Sequence, residues 1–142
     1  MGFQEPCVNW SEVKSTCSLA DLLQIGAEDI RASAAHNRLE ENRTGVKQRG
    51  RVATLLHNQL AGFTRGKGVD HTGLVRWAWT MVEGQPGHQT TFISAYAPCS
   101  NKSSGLTTVY QQHLRFIQKN SLKTNPKLMF HDDLIDFIKS RR

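Results

Sequence analysis

Thr91-Phe92-Ile93-Ser94-Ala95-Tyr96-Ala97-Pro98-Cys99 is the stretch from which the rest of the chain can be read. Phe92, Ile93, Ala95 and Tyr96 include the β-branched and aromatic residues that suit a half-buried strand, and Pro98, which has no N–H to donate, marks its end. Tyr96 therefore stands at a strand mouth, its ring available to anchor and its hydroxyl to present. The bland alternative is a core tyrosine before a turn. Upstream, residues 73–82 alternate with period two, placing Trp77, Trp79 and Met81 on one side and Arg76, Ala78, Thr80 and Val82 on the other. Gly84-Gln85-Pro86-Gly87 is a turn sequence, so residues 73–82 and 89–96 form an expected antiparallel hairpin. The tryptophan stripe suits core packing against a neighbouring layer better than base stacking.

Outward from this hairpin, residues 52–56 read as a further strand, and residues 29–36 are ambiguous. Residues 37–51 hold almost nothing apolar and are expected to be an exposed, mobile loop. Residues 59–70 carry Gly62, Gly66 and Gly68 among basic residues, which invites a phosphate-loop reading. A phosphate-binding loop would need glycine where Ala61 stands and a hydroxyl where Gly68 stands, so that reading fails. Ser18 is placed to cap a short helix through Leu19, Leu22, Leu23 and Ile25 that Gly26 stops. Thr107 or Thr108 caps a clearer amphipathic helix with Val109, Tyr110, His113, Leu114, Phe116 and Ile117 on its apolar face. Thr124-Asn125-Pro126 opens another, reaching Lys139, with Leu128, Phe130, Leu134, Ile135, Phe137 and Ile138 expected to be buried. Asp132 and Asp133, adjacent on that helix, diverge by about 100° and suit a solvated face rather than a metal pair. His113 and His131 share no ligand spacing and read as packing or surface histidines.

The chain of 142 residues is 38% apolar, enough for one core in a single domain. Nine basic and three acidic residues fall within residues 31–76, so the whole net charge of +6 lies there and the remainder is balanced. Such an excess suits either a phosphate-facing surface or a solvated, solubilising region. Three cysteines, Cys7, Cys17 and Cys99, form no C-x-x-C pair, and an odd count argues against a disulfide scaffold. Asn9, Asn42 and Asn101 open glycosylation-type triplets, but no basic-then-apolar leader opens the sequence and no apolar run approaches the ~20 residues of a spanning helix. The expectation is an intracellular protein, cytoplasmic or nuclear, without a membrane segment.

Gly2-Phe3-Gln4-Glu5 near the start, followed far downstream by Tyr96-Ala97-Pro98, gives strand ends in the order Gln-Glu then Tyr-x-Pro. With residues 73–80, Tyr110-Gln111-Gln112-His113 and Asn125-Pro126 through Phe130 to Asp133-Leu134, the sequence resembles the endonuclease/exonuclease/phosphatase superfamily of exonuclease III and DNase I, and in particular its retroelement-type and virus-type members. The resemblance implies an α/β (α+β) fold: part of a four-layer DNase I-like sandwich, its sheet mixed but mostly antiparallel and flanked by helices. It also implies that Glu5 holds Mg²⁺ or Mn²⁺ and that the Tyr96 phenol contacts the scissile phosphate. Arg43, Lys47, Arg49, Arg51, Arg65 and Lys67 become the candidate nucleic-acid contacts. Cys99 stands where the family has Asn, and Arg51 and Val75 where close relatives often have glycine.

The family's upstream Asn strand, its later Asp-x-Asn strand end and the Asp-His pair that follows it have no counterpart here. Residues 1–142 are therefore expected to be one incomplete, amino-terminal domain, inactive or nearly so without a carboxy-terminal half or a partner chain. Two other readings stay open. One is a noncatalytic DNA- or RNA-binding module using the basic region; the other is a nonfunctional fragment.

Overall fold

The computed structural model describes residues 2–4, 30–35, 52–74, 76–99 and 108–141, with side chains described for residues 30–32 and for all of 52–74, 76–99 and 108–141. The helix expected over residues 18–25 and the loop over residues 37–51 lie outside them. The chain divides into two compact units, Met1–Tyr96 and Ala97–Arg142.

The first unit holds two three-stranded antiparallel sheets. One has β1 (Gly2–Gln4), β3 (Val52–His57) and β2 (Ile30–Ala35) in that order, and the other has β4 (Thr64–Val69), β5 (Trp77–Gln85) and β6 (His88–Ala95). The sheets lie face to face, with β3 over β5, β2 over β4 and β1 over β6. Residues two apart on a strand share a face, which explains what fills the space between. Thr54 and Thr80 meet there, hydroxyl to hydroxyl at 2.9 Å, and Val52 packs on Ala78. Both central strands are buried over most of their length: Val52, Ala53, Thr54, Leu55 and Leu56 on β3, and Trp77, Ala78, Trp79, Thr80 and Val82 on β5. All described pairings are antiparallel, and among the described residues the architecture is mixed α/β with two small sheets and three helices.

The hairpin forms, but β5 begins at Trp77 rather than at residue 73 and runs on to Gln85, with the turn tightened to Pro86–Gly87 and Gln85 opposite His88. Trp77 and Trp79 are buried, as packing residues are. Residues 59–70, to which the sequence reading assigns no element, hold a short helix, α1 (Gln59–Gly62), and β4 (Thr64–Val69). The reason lies across the strand pair. Gly68 is opposite Trp79 and Gly66 opposite Met81, and a Cβ on Gly68 would come within 2.8 Å of the Trp79 indole nitrogen. The glycines make room for a tryptophan laid over a neighbouring strand, a close approach that only a residue without a side chain permits.

In the second unit, α2 (Val109–Lys119) and α3 (Pro126–Lys139) lie against each other. Thr108 caps α2, accepting from the Gln111 N–H at 3.3 Å; Asn125 caps α3, accepting from Lys127 and Leu128, each at 3.0 Å. Proline at the start of α3 forfeits no helical bond there. On α2, Val109, Gln112, His113 and Ile117 are buried, a stripe at three- and four-residue spacing. On α3 the expected apolar face is corrected. Leu128 is 54% exposed and Ile138 40%, while Met129 is buried, because apolar residues on this helix run round more than one face and only one face can point inward.

Candidate functional site

Strand register locates the mouth at which Tyr96 stands. Gln4 pairs with Val52, Ala35 pairs with Val52, Val69 pairs with Ala78, and Trp77 pairs with Ala95. With antiparallel neighbours, the ends of β1, β2, β4 and β6 and the beginnings of β3 and β5 thus share one end of the sandwich. Tyr96 follows β6 directly and packs, half-buried, against the core cluster of Val52 and Ala78. The last described residue of β1, Gln4, is therefore paired with a member of the cluster against which Tyr96 packs. Glu5 lies outside the described residues, as do Arg43, Lys47, Arg49 and Arg51.

The two remaining basic candidates are described, and they sit elsewhere. Lys67, exposed in mid-strand opposite Thr80, reaches over to the Ala32 carbonyl on β2 at 3.3 Å. Arg65, nearer the far end of β4, approaches Glu83 at 3.6 Å and is half exposed. Neither gathers round Tyr96. Arg76, counted within the basic region, is fully buried and neutralised, so part of the apparent excess of charge does not face solvent.

That arginine is the feature the sequence did not disclose. β4 ends at Val69, and Asp70 continues the ladder by donating its N–H to the Trp77 carbonyl at 3.0 Å. Its carboxylate then turns inward. Oδ2 accepts from Arg76 Nε at 2.6 Å and Oδ1 from Arg76 Nη2 at 3.0 Å, a two-pronged ion pair in which both side chains are fully buried. Thr72 adds its hydroxyl to Oδ2 at 2.7 Å and its N–H to Oδ1 at 3.0 Å, and the Arg76 N–H reaches Oδ2 at 3.4 Å. The guanidinium carbon lies 4.5 Å from the centre of the Trp77 ring, a cation held over a π-face. Gly73, at φ +77°, takes the left-handed conformation that lets the loop close. Burial pushes the Asp70 carboxyl up, but the Arg76 hydrogen bonds and charge, with those from Thr72, outweigh it and hold the carboxyl below its ordinary value of 3.8.

The loop is tied to Tyr96 through the backbone. The Tyr96 N–H donates to the Arg76 carbonyl at 2.7 Å, extending the β5–β6 pairing one residue past Ala95 and placing the tyrosine opposite the ion-paired arginine. Asp70 and His71 are also an Asp-His dipeptide at this end, but they are no proton-relay pair: the carboxylate is engaged by Arg76 and Thr72, and the imidazole is 85% exposed with its Nδ1 4.0 Å away. His113 is buried, its Nδ1 2.7 Å from the Val109 carbonyl, and His131 is exposed beside Asp132, so both behave as packing and surface residues. No group of three metal-ligating side chains occurs among the described residues. None of their helices is long and apolar enough to cross a membrane. No family model, curated protein or solved structure matches the chain.

Proposed function

We propose that this chain belongs to a metal-dependent phosphodiester hydrolase of the endonuclease type, in which Tyr96 hydrogen-bonds a phosphate oxygen and Glu5 holds Mg²⁺ or Mn²⁺. The reading rests on the residues at two strand ends, Gln-Glu and Tyr-x-Pro. What supports it in the fold is one placement: Gln4, the residue before Glu5, is paired with Val52, and Tyr96 packs against the core cluster that Val52 forms with Ala78. Neither described carboxylate of the sheet unit fits a metal. Asp70 is held by Arg76 and Thr72, and Glu83 faces Arg65 and accepts from the Gly87 N–H. In this reading the ion sits on Glu5, which only the resemblance implies. When bound, the ion would neutralise charge developing on the phosphoryl oxygens. An orienting phenol and one metal-bound acid leave the attacking water without a base, so residues 1–142 alone are inactive in this reading.

Paramagnetic Mn²⁺ provides the test. The chain has two tyrosines, Tyr96 and Tyr110, so protein labelled with 3-fluorotyrosine gives two ¹⁹F signals, assigned with Tyr96→Phe. Titrated Mn²⁺ should broaden the Tyr96 signal, Glu5→Gln should abolish the broadening, and oligonucleotide cleavage should be undetectable with either protein. A Tyr96 signal indifferent to Mn²⁺, or equally broadened in Glu5→Gln, overturns the assignment.

A further inference from the structure

We infer that Asp70 and Arg76 are a positioning pair for Tyr96: their buried ion pair fixes the backbone carbonyl that sets where the tyrosine stands. The steps are all local. Tyr96 is the first residue beyond β6, and Pro98, two residues on, has no N–H to carry the ladder further. Its N–H is received by the Arg76 carbonyl at 2.7 Å. Arg76 itself precedes β5. Its backbone is instead held from the opposite side, because the Asp70 carboxylate takes both its guanidinium and, at 3.4 Å, its N–H. Asp70 in turn is anchored to the first residue of β5 through the Trp77 carbonyl. Donors from Thr72 and the Trp77 ring complete the enclosure.

The chemistry favours a single geometry over a merely favourable contact. A fully buried ion pair gains little net stability over apolar packing of the same volume, since both ions give up hydration. What it does supply is direction: a planar guanidinium meets a carboxylate in one two-pronged arrangement, and a lysine cannot reproduce it. At a phosphate site a displacement of about 1 Å in a contacting group is costly to turnover, which is the sense the device has if Tyr96 touches phosphate. That functional sense rests on the hydrolase reading; the mechanical link between the pair and Tyr96 does not.

The same two ¹⁹F signals test the link without any activity. Arg76→Lys keeps the charge and loses the fork, Thr72→Val removes one hydroxyl from the carboxylate, and Asp70→Asn removes the charge. In each variant that keeps the parent's tryptophan emission maximum, which reports the buried Trp77 and Trp79 of the same unit, the Tyr96 resonance should shift or divide into exchanging lines. The order expected is Asp70→Asn, then Arg76→Lys, then Thr72→Val. Where Asp70→Asn loses the parent's tryptophan emission maximum, the other two decide, and Thr72→Val, which changes a partly exposed side chain, is the one expected to fold most like the parent. A lowered melting temperature with the Tyr96 line unmoved in position and width would make the pair structural only and overturn the inference. The Mn²⁺ titration is read on the unsubstituted chain. Failure there with a moved Tyr96 line in the variants removes the hydrolase reading and leaves the positioning pair standing, and the reverse outcome does the opposite.

Discussion

The β4–β5 pair carries an ion pair near each of its ends, and the two are built in opposite ways. Near the hairpin turn, Arg65 and Glu83 meet at 3.6 Å with side chains 53% and 26% exposed. At the other end, Asp70 and Arg76 meet at 2.6 Å and are sealed from solvent altogether. Water already satisfies the first pair, so its geometry is loose and its contribution small. The second has exchanged hydration for protein donors, so its geometry must be right or the loop fails. Tyr96 stands at the end with the rigid pair.

The largest expected effect breaks that rigid pair. Asp70→Ala takes the two-pronged carboxylate away from a fully buried guanidinium, and should lower stability by roughly 3–5 kcal/mol, whereas Glu83→Gln should cost about 1 kcal/mol or less. Thermal or denaturant unfolding of the two variants checks the contrast, and equal losses would mean that the two ends are energetically alike. The pH dependence has a definite sign. Asp70, with a carboxyl held below 3.8, ionises more readily folded than unfolded. Its contribution is therefore fully present above about pH 4, near the ordinary carboxylate value, and is lost as pH falls through the lower folded value. Arg76 and His71 are the described basic groups facing it, and Arg76 keeps its charge throughout. The stability gap between parent and Asp70→Ala should thus hold from neutrality to about pH 4 and narrow below it.

How much of this was legible depends on whether a feature repeats along the chain or only across it. The β5–β6 hairpin could be read because alternation and the Pro86–Gly87 turn are local, and the caps at Thr108 and Asn125 because each cap's partners lie two or three residues away. Tyr96 at a strand end was legible for the same reason. β4 was not, because Gly66 and Gly68 carry loop propensity, and what overrides it is Trp79 on the facing strand. A Gly-x-Gly opposite a Trp-x-Met at matching period was the available signal. The Asp70–Arg76 pair has no helical or strand spacing, so nothing in the one-dimensional pattern marks it, and a count of charges places Arg76 with the solvent-facing bases. Leu128 and Ile138 escape a reading by apolarity because an apolar residue on a helix signals a buried face only when its neighbours leave one face to choose.

The second expected effect tests whether the glycines of β4 are structural. A Cβ on Gly68 meets the Trp79 indole at 2.8–2.9 Å. The ring is buried and has little room to rotate away, so Gly68→Ala should destabilise by about 1–3 kcal/mol, the usual cost of overpacking. Gly84, on β5 near the turn, has nothing within 4 Å of where an alanine methyl would stand, and Gly84→Ala should change stability by no more than about 0.5 kcal/mol. Unfolding midpoints and the Trp fluorescence maximum of the two variants provide the comparison, and a neutral Gly68→Ala would show that Trp79 can move aside and that the close approach is incidental.

The smallest effect concerns the midpoint between the two ends, where the sheets meet at Thr54 and Thr80. Both side chains are buried, and their hydroxyls are 2.9 Å apart. Thr80→Val, nearly identical in shape, removes one partner and strands the other in a dry interface, a loss of about 1–2 kcal/mol. Thr54→Val should do the same. The double variant leaves no hydroxyl to satisfy and fills the same space with methyl groups, so it should be more stable than either single one and approach the parent. Simple addition of the two losses in a double-mutant cycle would mean that the hydroxyls do not act as a pair, and that the sheets are joined there by shape alone.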